Sequence, residues 1–361
     1  MQHLPVRSAA QATRHLLWLL VVVGTQSEAA QIQPCALPSV NSSFCRPIHD
    51  SFPGTALHIG FVAGGEDRWP DLSTALISLL HYRSCPLHVH FYADRGVQTL
   101  IEEFFQPAEY PHVTYTVYDR PLVDLPQSEW YPQANSKLVM DQVTSKDASH
   151  LLLLDTDIVI ASDICAAQAV FRHMSPGAAF AMAPEMDLWY TKSRERQAMA
   201  FPSRRSRHRW IKQSQDGVGR TTDGLNSGVI FWNLTVARSV DWTGLWQREL
   251  EGLLQSRGIK GLPNGDQEVF NIVCTEHPEL MDIVPAKWNF QLTNHIWESK
   301  VFDHAMQDVI VFHGNDQIFK HEGTFWNRLA DMFGGKDDDD RCAARKRAQQ
   351  LWSDVRWLDQ Q

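Results

Sequence analysis

The sequence predicts an α/β fold built on a mostly parallel, doubly wound sheet, and three observations carry that expectation. Strand-like apolar runs alternate with segments of helical spacing over about the first 170 residues. The run His150-Leu-Leu-Leu-Leu-Asp155 is short, continuous and apolar, which suits a strand buried on both faces at the centre of a parallel sheet. That run ends in Asp155-Thr156-Asp157, two carboxylates one residue apart, and open α/β sheets bind ligands at the carboxyl ends of their strands.

The elements follow in order. After a polar lead-in to about Pro53, Leu57 to Ala63 reads as a first strand, closed by Gly64-Gly65, where missing side chains let backbone approach a ligand. Leu72 to Tyr82 has helical spacing, Leu87 to Tyr92 alternates as a second strand, Val97 to Phe105 reads as a helix and Val113 to Tyr118 as a third strand. A helix over Ser136 to Thr144 leads into the leucine strand, and Ser162 or Asp163 can cap a helix running to about His173. The second half is less regular. Ala178 to Pro184, Gly228 to Trp232 and Val309 to His313 read as strands, with helices over Trp242 to Gln255 and Gln267 to Cys274. From Gly334 onward a charged connection, with four consecutive acids before Arg341, reads as a solvated tail entering a terminal helix.

Composition narrows the class. The 361 residues, 43% of them hydrophobic, fill one large α/β domain or two modest ones. Counting 33 basic against 42 acidic residues gives a net charge of −9, which argues against non-specific binding to nucleic acid or an anionic membrane. The stretch 192–220 is locally basic, with Arg194, Arg196, Arg204, Arg205, Arg207, Arg209 and Lys212, and reads as a solvated loop able to contact an acceptor. Arg7 and Arg14 precede Leu16 to Val23 and then small residues to Ala30, a core too short to span a bilayer comfortably. The expectation is a secretory signal over 1–29, with an uncleaved signal anchor as the alternative. The sequons at Asn41 and Asn233 agree with a luminal or secreted protein. Six cysteines, at 35, 45, 85, 165, 274 and 342, suit an oxidising compartment and show no zinc spacing. Their pairing is open, and Cys165 and Cys274, in apolar stretches, read as buried free thiols.

Side chains two apart on an extended segment face the same way, so Asp155 and Asp157 can meet one hard cation, Mg²⁺, Mn²⁺ or Ca²⁺. Three later features converge with them. His313 ends a strand beside Gly314-Asn315, where a phosphate can come close; Leu225-Asn226-Ser227-Gly228 puts small polar groups before an apolar strand. Asn264-Gly-Asp266-Gln267-Glu268 opens a helix with an acid and an amide, which also reads as plain capping.

In this order the residues resemble retaining glycosyltransferase family eight, and within it the glucoside xylosyltransferases first and the xylosyltransferase domain of the LARGE enzymes second. The likeness runs over about residues 55 to 333, carried by Pro86-Leu-His-Val-His90, Ala181-Met-Ala-Pro-Glu185, Leu225-Asn-Ser-Gly-Val229, Gly265-Asp-Gln-Glu-Val-Phe-Asn271, Trp288-Asn289 and Phe312-His-Gly-Asn315. It implies a GT-A fold, a nucleotide-binding sheet merged with an acceptor-binding half, over 55–333 behind a lead-in at 30–54 and before a tail at 334–361. It further implies Mn²⁺-dependent transfer, with Mg²⁺ as the alternative ion, from a UDP-sugar to a glycan or glycoprotein acceptor in the secretory-pathway lumen or outside the cell. Asp155, Asp157 and His313 match the metal ligands. Val62, Ala63 and Gly64 match the uridine-receiving strand end, and Lys137 a basic residue near the nucleotide. Asn226, Asp266 and Gln267 match donor-sugar residues, with Thr156, Ser227, Gly314 and Asn315 beside the donor. In glycogenin-like members a diphosphate-contacting Lys lies six residues after the His; here Lys320 lies seven after, and the His-Gly-Asn form is xylosyltransferase-like. Two rivals make different demands. A phosphohydrolase requires a later strand ending in paired acids, and no such pair occurs; a non-catalytic member of the family has no need of the three metal-binding residues.

Overall fold

The computed structural model describes residues 55–106, 110, 112–126, 132–185, 224–257, 262, 264–291 and 309–314. The segments 1–54 and 315–361, with Asn315, Lys320, the Arg-rich stretch, the Asn41 sequon, Cys35, Cys45 and Cys342, lie outside them. All described residues fall in one compact unit.

Its strands are β1 (Leu57–Ala63), β2 (Leu87–Ala93), β3 (Val113–Asp119), β4 (His150–Leu154), β5 (Ile158–Ile160), β6 (Phe180–Pro184), β7 (Leu225–Asn233), β8 (Met281–Ile283), β9 (Phe290–Gln291) and β10 (Val311–His313). The helices are α1 (Trp69–His81), α2 (Arg95–Phe105), α3 (Met140–Val143), α4 (Ala167–His173), α5 (Leu234–Ser239), α6 (Trp242–Arg257) and α7 (Asp266–Glu276). A seven-stranded sheet runs in the order β3-β2-β1-β4-β7-β6-β8, and β5, β10 and β9 form a small second sheet. In the large sheet only β7 runs against its neighbours, β4 and β6.

The leucine strand lies at the centre and is buried on both faces, as its unbroken apolar run predicts. Leu152 and Leu154 pack with Leu72, Leu76 and Leu79 of α1 and Val97 and Ile101 of α2; Leu151 and Leu153 pack with Trp242 of α6 and Phe270 of α7 on the other side. Two apolar layers therefore sandwich the sheet, and each fully buried leucine contributes about 1.5–3 kcal/mol.

Four expectations are corrected. Residues Pro132–Val139 form a tight 3₁₀ stretch, and only Met140–Val143 is α-helical. Asn135 and Ser136 donate to the carbonyls of Val123 and Pro121 instead of supporting a helix. β7 starts three residues before Gly228. Val309 and Ile310 precede β10 instead of opening it. Cys165, read as a free thiol, is bonded to Cys85; apolar neighbours signalled burial, but the pairing needs the contact of two loops, joined also by Ile164 N–H to the Tyr82 carbonyl at 3.0 Å. The bridge closes a separation of 80 residues, which on loop entropy alone stabilises the fold by about 4.5 kcal/mol. Cys274 is a buried free thiol, as expected. Asn233 caps α5, its Oδ1 accepting from Val236 N–H at 3.2 Å. Among the described residues no helix is long and apolar enough to cross a membrane.

Strands β1 and β2 carry a histidine cluster on one face, beside Tyr118 of β3. His58 Nδ1 and His90 Nε2 lie 2.9 Å apart, and His90 Nδ1 is 3.2 Å from the Tyr118 hydroxyl. Burial, then repulsion from His88 and His58, holds His90 down at about 3; burial first also lowers His58 and His88. The unfolded chain titrates near 6.5 and so binds more protons than the folded one below that pH. The cluster's contribution to stability is therefore full above about pH 6.5 and falls as pH drops toward 3. Melting temperatures measured across that window are expected to fall steeply for the native protein and less steeply for His90→Gln; equal slopes would remove the cluster from the acid response.

Candidate active site

The site forms where β4 ends. Asp155 follows Leu154, and its backbone N–H is held by the Gly228 carbonyl of β7 at 2.9 Å. Asp157 precedes β5, which pairs antiparallel with β10 so that His313 faces Ile158; Gly314 N–H extends the pairing by donating to the Asp157 carbonyl at 2.7 Å. Pairing of these two short strands carries His313 to the carboxylates, its Nε2 lying 3.5 Å from Asp155 Oδ2 and 3.4 Å from Asp157 Oδ1. Gly228 makes room for the ring: a Cβ there would stand 2.2 Å from His313 Cε1 and 2.4 Å from Nδ1.

Behind Asp155 lies Lys137, only 3% exposed. Its Nζ is 2.6 Å from Asp155 Oδ1 and 3.3 Å from Asp266 Oδ2, and it donates to the Ser227 carbonyl at 3.1 Å. The next residue anchors this segment, because the Leu138 carbonyl accepts from the indoles of Trp242 at 2.9 Å and Trp246 at 3.2 Å. Asp266 and Gln267 open α7 after Gly265, whose φ of 54° lies in the region that favours glycine. Glu268 reaches back to Asn264, accepting from its backbone and side-chain N–H groups at 3.2 and 3.1 Å. The N-cap of α7 is Gly265 and no side chain caps the helix; Glu268 instead ties down Asn264, which leaves Asp266 and Gln267 for the site.

Charge and burial compete at these groups. Burial disfavours the Lys137 ammonium, but Asp155 and then Asp266 outweigh it and hold its pKa above the usual range. Burial raises the Asp155 carboxyl, against Lys137 and His313. Burial also pushes Asp157 up, but His313 beside it reverses the direction. At His313 the carboxylates, Asp157 first, outweigh burial and raise the imidazole. One ligand atom from each of Asp155, Asp157 and His313 lies within 4.8 Å of the others. Two hard oxygens and an imidazole nitrogen at that spread fit one Mn²⁺- or Mg²⁺-sized ion, whose ligands stand about 2.1 Å from it. Such an ion would take the place of the His313 proton, so binding would release a proton and weaken in acid.

The remaining expected residues distribute as follows. Ser227 N–H donates to Gln267 Oε1 at 3.1 Å, and Asn226 Nδ2 to Glu185 Oε2 at 2.9 Å. Thr156 lies between the two acids, and Gly314 is buried behind His313. Val62, Ala63 and Gly64 lie at the carboxyl end of β1. Two residues there carried no expectation. Asp94, at the start of α2, accepts from Gly65 N–H at 3.2 Å and Arg120 Nε at 2.9 Å. Their signal was position alone, a charged residue directly after β2 and another after β3. Glu185, after β6, is the third omission.

No family profile matches the chain. The sequence is 29% identical over 286 residues to the human xylosyl- and glucuronyltransferase LARGE2, an alignment that covers 76% of this chain and 36% of that protein. It is 28% identical over 284 residues to zebrafish LARGE1, covering 76% and 34%. The chain thus spans about a third of the length of these curated relatives. Mouse xyloside xylosyltransferase 1 superposes with a TM-score of 0.54 at 20% identity, covering 73% of this chain and 99% of that one. Galactosyltransferase LgtC, solved with donor and acceptor sugar analogues, superposes at 0.51 and 14% identity, covering 83% and 95%. The fold is the GT-A fold of these glycosyltransferases, with the metal-binding trio at the end of its central strand. Among proteins of that fold, the chain resembles xylosyltransferases.

Replacing Lys137 by Met strands two carboxylates without their counter-charge. Urea denaturation is expected to show a loss of about 3–5 kcal/mol, the usual cost of breaking a buried ion pair. A loss below about 1 kcal/mol would place the pair in the range of solvent-exposed salt bridges.

Proposed function

We propose that this chain transfers a sugar, xylose first, from a UDP-sugar to a hydroxyl of a glycan or glycoprotein, with retention at the anomeric carbon and dependence on Mn²⁺. The observation that carries the reading is the meeting of Asp155, Asp157 and His313 at the end of the central strand. A divalent cation held there would neutralise charge growing on the departing diphosphate. Lys137 opposes the burial that raises the Asp155 carboxyl and holds it in place. Val62, Ala63 and Gly64 would receive the uridine at the end of β1, while Thr156, Ser227, Gly314, Asn315 and Lys320 would stand along the diphosphate and sugar. Asn226 and Asp266 would bind sugar hydroxyls. Gln267 would present its carbonyl oxygen to the ring face opposite the leaving group, where positive charge grows. An amide is a poor nucleophile, so the acceptor would attack on the leaving-group face and pass its proton to a UDP phosphate oxygen.

Relatives named xylosyl- and glucuronyltransferases and a structural neighbour named xyloside xylosyltransferase support xylose over hexoses. The Cys85–Cys165 bridge supports an oxidising compartment, the secretory lumen or outside the cell. The catalytic unit would be 55–333, with 1–29 as a secretory signal, 30–54 as a lead-in and 334–361 as a charged tail.

Two outcomes test this reading. Asp157→Ala is expected to abolish Mn²⁺-dependent UDP-sugar turnover in a fold of unchanged circular dichroism, and full residual activity would sink the metal-dependent transferase. In a donor panel of UDP-xylose, UDP-glucose, UDP-galactose and UDP-N-acetylglucosamine, UDP-xylose is expected to be consumed fastest; equal use of all four would overturn the choice of xylose.

A further inference from the structure

Glu185 lies outside the metal-binding and donor-lining residues named above, yet two amide side chains of the site end on it. It is 2% exposed, and its Oε2 accepts from Asn226 Nδ2 at 2.9 Å and from Gln267 Nε2 at 2.8 Å. An ionised carboxylate only accepts, so each amide must turn its NH₂ toward Glu185 and its carbonyl oxygen away. Asn226 Oδ1 then receives the Gly228 N–H at 2.9 Å and Asn289 Nδ2 at 2.8 Å. With its NH₂ directed to Asn226, Asn289 has only Oδ1 to offer His313 Nδ1, 3.0 Å away. An acceptor at that place calls for a proton on Nδ1, and the Nε2 lone pair is left facing Asp155 and Asp157. Asn226, Asn289 and His313 are 2%, 0% and 4% exposed, so bulk water does not reach the chain to repair a reversed link.

We propose that Glu185, together with the backbone groups of Gly228, Asn226 and Ser227 that hold the same amides, fixes the hydrogen-bond polarity of the site. Through Asn226 and Asn289 it holds His313 in the tautomer that keeps Nε2 open to a divalent cation, and on its other side it fixes which end of the Gln267 amide is the carbonyl. Glu185 and Asn289 are positioning residues in this scheme. The metal half rests on the reading of Asp155, Asp157 and His313 as the cation site.

A double-mutant cycle separates directed polarity from simple packing, with Mn²⁺ affinity read by electron paramagnetic resonance on the full chain. Glu185→Leu removes the charged acceptor and leaves Asn226 held in its present sense by the Gly228 N–H alone; affinity is expected to fall about tenfold or more, the usual scale for outer-shell changes at metal sites. Asn289→Asp puts an obligate acceptor on His313 Nδ1 whatever Asn226 does. In that background the proton on His313 Nδ1 no longer depends on how Asn226 is held, so the same substitution is expected to leave affinity unchanged. An equal loss in both backgrounds would overturn the proposal.

A leucine at 185 leaves two buried amides unpaired and can compromise folding, so a second measurement uses the native sequence. With histidines ¹⁵N-labelled, the ring neutral and no metal added, long-range proton–nitrogen correlation is expected to show His313 protonated at Nδ1. Protonation at Nε2 would overturn the relay. A native protein that binds no Mn²⁺ while showing the Nδ1–H tautomer would sink the metal-dependent function and leave the relay standing.

Discussion

Lys137 donates to the Ser227 carbonyl of β7 and forms ion pairs with Asp155 after the central strand and Asp266 at the start of α7. One buried ammonium therefore ties four stretches of chain that are far apart in sequence. An arginine could not replace it, because the planar fork of a guanidinium suits one carboxylate approached side-on, whereas three acceptors converging from different elements need a compact point charge. The charge count around it explains what else the site can accept. Lys137 and a protonated His313 face Asp155, Asp157 and Asp266, so the metal-free cluster is one positive charge short. A divalent cation that displaces the His313 proton closes that gap.

The reversed direction of β7 matters as much as the charges. A parallel strand beside β4 would bring its own carboxyl end to the site. Because β7 runs antiparallel, with Val229 opposite Leu154, its first residues arrive there instead, and these are the small polar group Asn226-Ser227-Gly228. The register with β6 breaks at the same place: Met182 pairs with Ile230, and the next residue, Ala183, pairs with Asn226. The irregularity bends β7 away from a regular ladder just where its backbone must serve Asp155, Lys137 and Gln267, as bulges beside functional sites commonly do.

The elements legible in the sequence are those whose burial leaves a periodic or unbroken apolar trace. β1, β2, β3 and β4 are near where alternation and the leucine run put them, and α1, α2, α6 and α7 begin or end within a few residues of their apolar spacing. β8 and β9, three and two residues long, are too short to carry a period. The 3₁₀ stretch before α3 is shaped by tertiary hydrogen bonds that no local window contains. The site divides the same way. Asp155, Asp157 and His313 stand at ends of apolar runs and could be singled out by chemistry, whereas Glu185, Asp94 and Arg120 matter only through partners that the fold supplies. Cys165 shows the limit most simply, since its apolar neighbours signal burial and carry no information on Cys85.

Lys137, Glu185, Asn226, Asp266, Asn289 and His313 are each at most 5% exposed, an expensive set to remove from water. Burying an unpaired charge costs several kcal/mol, and a loosely satisfied polar cluster is worse than an apolar one. The two apolar layers against the sheet, with Trp232, Trp242, Phe270 and Phe180 interlocked on one side, supply the compensating burial. Cost and benefit are both settled when the chain folds, before any ligand arrives. A site organised in that way loses little further freedom on binding, and dipoles already aimed at a developing charge need no reorganisation when the charge appears. That is the physical reason for placing amides and a lysine, which keep their polarity, around three groups that change charge. The rigid partners direct the labile ones, and the direction originates in buried charges fixed to the sheet.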